Sequence, residues 1–249
     1  MSTAVELINV TAGYMGSPVQ RNVSFRVERG EIVALLGGSG CGKSTMLKTM
    51  IGLLPVISGD ILIEGESIIN CSISKKKELL RKFGVAFQNG ALFRSYTLAE
   101  NIALPLQEYT DHTQEEIDRI VEEKLKLVGL EGAGNKMPGD LSGGMVKRGA
   151  AARALALNPG IIFLDEPSAG LDPLNSANLD KLILELREKL NAAIIIVTHE
   201  LDSIFTVADR VIFLDSKGQG VLATGTPREL QQNSADPFVR SFLNRGKEK

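Results

Sequence analysis

The sequence has few cysteines, no surplus of basic charge and no long apolar run, and each shortage removes a class of function. Only Cys41 and Cys71 occur in 249 residues. They are too few for a disulfide framework and lack the neighbours of a zinc site, so both are expected to be reduced thiols. With 28 Lys and Arg against 30 Asp and Glu, the formal net charge is −2. A general binder of nucleic-acid backbone needs a basic excess, so no nucleic-acid partner is expected. No stretch approaches the roughly 18 consecutive apolar residues of a membrane-spanning helix. The greasiest segments, Ile32 to Leu36 and Ala192 to Val197, have the length of buried strands. The opening Met-Ser-Thr-Ala-Val-Glu lacks the basic region and apolar core of a secretory signal, and there is no internal repeat or low-complexity tract. What remains is a globular protein expected in the cytosol, with 43% hydrophobic and 23% charged residues, enough to bury a core.

Val5 to Val10 and Ser24 to Val27 alternate apolar with polar residues around a turn-rich patch at Gly13, Gly16 and Pro18, which predicts antiparallel strands. Glu31 to Leu36 is a continuous apolar strand, followed by a glycine-rich stretch and a helical pattern from Lys43 towards Ile51. The alternation returns with a strand at Ile161 to Leu164, a helix from Leu174 to Leu190 and a strand at Ala193 to Val197. A helix from Glu200 to Ala208 and a strand at Val211 to Leu214 follow. Repeated βα order predicts a mostly parallel sheet covered on both faces. From Ala99 to Leu157 the pattern is helical throughout, with Thr113 and Glu116 forming a capping box for an amphipathic helix ending near Gly129. The expected organisation is therefore one α/β domain over 1–249. Its core lies in 1–98 and 158–235 and includes an N-terminal antiparallel β subdomain; a helical subdomain is inserted at 99–157, and 236–249 form a tail. The tail's Asp236-Pro start places Phe238, Val239 and Phe242 on one side of a helix too short to stand without packing.

Gly37-Gly38-Ser39-Gly40-Cys41-Gly42-Lys43-Ser44 fits G-x-x-x-x-G-K-[ST] between a predicted strand and a predicted helix, the setting of a P-loop. Glycines let successive N–H groups approach phosphates, and the helix start adds positive potential. Lys43 places a cation near the β and γ phosphates, while Ser44 offers a hydroxyl to Mg²⁺. Thr45 follows in the helix, and Cys41 fills a free position as spacer rather than nucleophile. Ile161 to Leu164 delivers Asp165 and Glu166 at the C-terminal edge of a buried strand, where ligands of α/β sheets collect. Asp165 would hold Mg²⁺ and Glu166 would polarise an attacking water; a plain helix cap is the alternative for a strand ending this way. Ser142, Gly143, Gly144 and Met145 open an Ala-rich helix running through Lys147, Arg148 and Arg153, a second anion-binding helix start. Both starts serve one nucleotide only if the chain folds back or pairs with another copy. Lys75 to Lys77 reads as a solvated helix face or a contact with a membrane-protein partner or anionic lipid, and His112 as a surface residue.

These motifs stand in the order of an ABC transporter ATPase subunit, which the chain resembles over nearly its whole length. The order is the P-loop, Gln88 after the strand Val85 to Phe87, Leu141-Ser-Gly-Gly144, Asp165-Glu166, Ser168 to Asp172, and His199 after a strand. The resemblance implies ATP and Mg²⁺ as ligands. It implies a head-to-tail homodimer in which the signature Ser142, Gly143 and Gly144 of one copy close over the nucleotide of the other, and membrane-embedded permease subunits. It also implies roles: Tyr14 stacking on adenine, Gln88 sensing Mg²⁺, the lytic water and the permease, His199 contacting the γ-phosphate, and Asp172 linking the two sites. Tyr14 as a sheet-edge aromatic, Gln88 as a loop residue and His199 as a structural histidine are the plain alternatives.

The run Phe87-Gln-Asn-Gly-Ala-Leu-Phe93, Met145 in the signature and the ending Asp236 to Leu243 resemble the ATPases of Mla/Mce-type lipid transport systems. That resemblance implies phospholipid transport from the cytoplasmic face of the inner membrane, an Mce-domain partner, a small regulatory subunit, and a C-terminal segment that reaches a partner subunit. The competing classes are an importer of amino acids or metal chelates and a soluble ABC protein acting on nucleic acid or ribosomes.

Overall fold

A computed structural model of the chain describes residues 2–215, 217 and 220–245. It opens with two long strands, β1 (Thr3–Tyr14) and β2 (Ser17–Glu28), paired antiparallel from Thr3 with Glu28 to Tyr14 with Ser17. Met15 and Gly16, with φ of 49° and 80°, alone make the turn. Positive φ at both positions matches the right-handed twist of a tight hairpin, so Gly13 and Pro18, expected in the turn, lie in the strands instead. β3 (Ile32–Gly37), α1 (Lys43–Met50), β4 (Val56–Ile63), β5 (Glu66–Ser67), α2 (Ile73–Leu80) and β6 (Phe83–Ala86) follow. α2 carries the lysine run, and Lys75 pairs with Glu66 at 2.6 Å and Glu78 at 3.0 Å, the solvated-face arrangement.

Helices α3 (Leu98–Tyr109), α4 (Gln114–Leu127) and α5 (Gly143–Ala154) pack on one another. The stretch between α4 and α5, expected to be helical, holds only a 3₁₀ turn at Pro138–Asp140. Gly129, Gly132, Gly134, Pro138 and Gly139 interrupt it, residues that weaken or break helices. The Thr113–Glu116 capping box forms as expected, and Thr97–Glu100 makes a second at the start of α3. β7 (Ile161–Asp165), α6 (Pro173–Leu190), β8 (Ala193–Val197), α7 (Leu201–Val207), β9 (Arg210–Leu214), β10 (Val221–Gly225), α8 (Pro227–Asn233) and α9 (Pro237–Leu243) complete the chain.

Strands β2-β1-β4-β5 form one antiparallel sheet, and β10-β9-β3-β8-β7-β6 form a second. In the second, β3, β6, β7, β8 and β9 pair in parallel and β10 is the antiparallel edge. Every residue of β3, β7 and β8 is buried, as covering on both faces requires. Alternate residues separate two cores. Val33, Leu35, Phe163 and Ile195 meet α1 and the antiparallel sheet, whereas Ile162, Leu164, Ile194 and Ile196 meet α3 to α6.

A third core joins β3 and β9 to α7, α8 and α9. Within it Val239 and Leu243, one helical turn apart, are the fully buried residues of α9. The ring of Phe213 on β9 lies 5.2 Å from that of Phe242, edge to face, and 5.9 Å from that of Phe238, which stays half exposed. The seven-residue α9 thus packs on β9 of its own chain, the support that so short a helix needs. Phe213→Ala removes the ring at the centre of this cluster. It is expected to lower unfolding stability by about 3–5 kcal/mol, read as a fall in the urea midpoint at unchanged slope.

Candidate functional site

Four adjacent parallel strands, in the order β3, β8, β7 and β6, deliver the chemistry-bearing segments to one edge of the sheet. Their C-terminal ends lead into Gly37–Ser44, His199, Asp165–Glu166 and Gln88 respectively, where ligands of open α/β sheets bind.

Gly37 closes β3 with φ of 150°, and a Cβ there would lie 2.5 Å from Cys41 Sγ and 2.9 Å from Leu214 O. Gly42 caps α1 with φ of 99°, without a side-chain cap and without an acidic residue in the first turn. The first N–H groups of α1 therefore keep their positive potential for an external anion. Ser39, Gly40 and Ser44 are exposed on the loop. Lys43 Nζ donates to Gly37 O at 2.9 Å and Gly38 O at 3.1 Å, curled over carbonyls that a phosphate oxygen can replace. Cys41 is buried, and burial pushes its thiol up.

The structure brings expected site residues together in three pairs. Ser44 Oγ lies 3.4 Å from Asp165 Oδ1. Burial, reinforced by Glu166, raises the Asp165 carboxyl above the usual range, against the hydrogen bond from Ser44 and the charges of Lys48 and Lys43. Glu166 Oε1 meets His199 Nδ1 at 2.9 Å, while Glu166 Oε2 is buried without a hydrogen-bond partner among the described residues. The glutamate is largely enclosed, with 13% of its side chain exposed against 60% for His199. One acid therefore faces the P-loop hydroxyl, and its neighbour faces the histidine with a free acceptor. In the third pair, Thr45 Oγ1 donates to Tyr14 OH at 3.4 Å, which places the exposed tyrosine ring beside the helix that starts at the P-loop.

Glu166 adopts φ of 49°, a left-handed conformation unusual for a side-chain-bearing residue. Its N–H donates to Val197 O at 2.7 Å, and Lys147 Nζ donates to its carbonyl at 3.3 Å and also to Ala169 O. Lys147, half-buried on α5, has its ammonium pushed down by desolvation, partly offset by Glu166. This strut was not expected: it runs to backbone carbonyls 19 and 22 residues further on, which carry no sequence signal. Arg153, two turns on, donates to Ala91 O at 2.8 Å and Gly90 O at 3.1 Å, fixing the segment after Gln88.

The remaining expected residues make no hydrogen bond to these pairs among the described residues. Gln88 is exposed in a turn after β6. Ser142 caps α5, accepting from Met145 N at 3.3 Å, and Met145 packs against the helical core. Asp172 caps α6, accepting from Leu174 N and Asn175 N at 3.1 Å, and its bonds to Asn175 hold its carboxyl below the usual range. Gly144 lies beside this cap, since a Cβ there would be 3.5 Å from Asn175 Oδ1.

Comparison with known proteins sets this geometry in context. The sequence profile described as ABC transporter matches residues 20–169. A probable ribonucleotide transport ATP-binding protein, mkl, of Mycobacterium leprae is 46% identical over 244 residues, 98% of this chain and 70% of that protein. The intermembrane phospholipid transport system ATP-binding protein MlaF of Escherichia coli K12 is 40% identical over 223 residues, 90% of this chain and 82% of its own. Among solved structures, a dimeric post-hydrolysis state of the ATP-binding cassette MJ0796 bound to ADP and Pi superposes with a TM-score of 0.81. It is 33% identical and covers 89% of this chain and 98% of that one. CbiO1 of Clostridium perfringens, part of the transporter complex cbiONQ, gives 0.83 at 29% identity over 98% and 97%.

Proposed function

The chain belongs to the ABC transporter family as its ATP-hydrolysing subunit, and from that premise we propose that it energises phospholipid transport by an Mce-type system in a bacterial envelope. The observation that carries the transport reading is the match to the phospholipid transport protein MlaF, which spans 90% of this chain. The sequence resemblance at Phe87 to Phe93 and Met145 supports it. In this reading two copies pair, the helical segment 99–157 presents the signature, and the dimer sits beneath permease subunits on the cytoplasmic face of the inner membrane. No helix among the described residues is long and apolar enough to cross a membrane.

The roles of the residues follow from their placement. The N–H groups of 37–45 and Lys43 take the β and γ phosphates, and Tyr14 stacks on the adenine. The residues also fit a Mg²⁺ ion. Ser44 and Asp165 offer two hard oxygens 3.4 Å apart, and burial, with Glu166 beside it, raises the Asp165 carboxyl. Among the described residues no group of three or more His, Cys, Asp or Glu could hold a metal, so Gln88, phosphate oxygens and water would complete the shell. Held by Ser44 and Asp165, a Mg²⁺ ion would supply positive charge against that of the phosphates. Glu166 accepts the proton of the attacking water at its free Oε2, His199 orients Glu166 and reaches the γ-phosphate, and the Ser142 helix start of a second copy closes the opposite side. Two nucleotides that bind the paired state better than the open one supply the free energy a permease senses.

Co-purification from detergent-solubilised membranes, with partners and lipid identified by mass spectrometry, tests the reading. A multispanning permease with an Mce-domain protein and phospholipid is the expected recovery. A complex whose ATPase responds to ribonucleotides, as the name of the mkl relative suggests, or to a soluble solute-binding protein, would replace phospholipid as cargo.

A further inference from the structure

Among buried polar groups outside the catalytic edge, Gln20 is tied to the P-loop itself. It lies on β2 with no exposed surface, on the inward side that also buries Val23 and Val27. Its Nε2 donates to Cys41 O and to Asp215 O, both at 2.7 Å, and its Oε1 accepts from Gly220 N at 3.2 Å. One amide therefore joins three segments: the hairpin that carries Tyr14, the P-loop, and the β9–β10 connection, whose ends also meet where Asp215 N donates to Gly220 O at 2.9 Å.

A trans peptide is planar, so its C=O and N–H point in opposite directions. With the Cys41 carbonyl turned onto Gln20, the N–H of Gly42 points away from β2. The β2 side of Gly42 is closed, because a Cβ there would lie 2.7 Å from Val19 Cγ1 and 3.2 Å from Gln20 Cγ. We infer that Gln20 is a positioning residue for ATP binding: it presets the 41–42 peptide so that the Gly42 N–H faces the phosphate side of the loop, and it anchors that setting to the β9–β10 connection. Gln20 touches neither nucleotide nor reacting atoms. An apolar residue of the same size would take from the Cys41 and Asp215 carbonyls and the Gly220 N–H the partner that Gln20 gives them, and the cheapest relief is to turn the peptide towards water. The inference rests on the P-loop reading above.

The test uses the full chain and fluorescent mant-ATP. The parent is expected to bind it and Lys43→Ala to lose it; if Lys43→Ala binds normally, the P-loop reading falls and this inference with it. With that arm intact, Gln20→Met is expected to weaken mant-ATP binding by at least about ten-fold, with KM for ATP rising more than kcat falls. Leu230→Ala, a core truncation in α8 at a residue outside the P-loop and the Gln20 hydrogen bonds, is the control for general destabilisation, expected to lower Tm while leaving mant-ATP affinity unchanged. If Gln20→Met does not fold, Gln20→Glu keeps the chain length and an acceptor for Gly220 but sets an oxygen against two carbonyls, and the same loss is expected. Parental affinity in a folded Gln20 variant, or an equal loss in Leu230→Ala, overturns the inference.

Discussion

Glu166→Gln is expected to slow ATP turnover by about 10²–10⁴-fold while the protein still binds ATP. The substitution keeps the shape of the side chain and an oxygen able to accept from His199 Nδ1, now 2.9 Å from Oε1. It removes the one property the role needs, a basic oxygen at the buried Oε2 position, which has no partner among the described residues. An amide nitrogen there donates where a water proton must be accepted. The P-loop contacts lie on a different strand end and are untouched, so mant-ATP affinity stays at the parental value. With binding kept and hydrolysis blocked, ATP is expected to hold the protein as a dimer on size exclusion. Phosphate release at the parental rate would remove Glu166 from its role.

The same edge shows which parts of the site were readable before any coordinates. The P-loop, Asp165-Glu166 and His199 were legible because each sits where a run of apolar residues ends, and a parallel sheet must deliver such ends to one side. Their partners were harder to see, because pairing depends on strand order. Ser44 meets Asp165, and Glu166 meets His199, only because β8 lies between β3 and β7. Lys147 and Gln20 were invisible as functional residues for a related reason: each acts through backbone carbonyls distant in sequence, and carbonyls carry no sequence signal. Strands β4, β5 and β10 and the helix α8 were missed where glycines and polar residues blur the period, although Thr226 and Glu229 spell a capping box for α8. The 128–142 segment erred the other way, since helices on both sides lent it a pattern its glycines cannot keep.

The claim that a nucleotide is shared between two copies stands or falls on the signature helix, and Gly144→Asp isolates it. Gly144 is the second residue of α5, and a Cβ there meets Asn175 Oδ1 at 3.5 Å and Leu171 Cδ2 at 3.8 Å, ordinary contacts that require no shift. A carboxylate in the first helical turn is favourable to the helix itself, by about 0.3–1 kcal/mol, so Tm should hold or rise. The same carboxylate occupies the positive potential that would face the γ-phosphate and repels it, with an expected loss of about 10²–10³-fold in turnover. Because the P-loop is unaltered, mant-ATP still binds. Lys43→Ala has the complementary defect, a spoiled P-loop beside an intact signature. If two copies pair head to tail, mixing the two inactive variants builds one competent site in each mixed dimer, up to about a quarter of the parental number of sites. Phosphate release that appears only on mixing, and grows with the concentration of both chains, is the expected result. A Gly144→Asp protein that hydrolyses ATP alone at the parental rate would show that each chain completes its own site, and the second helix start would then need another ligand.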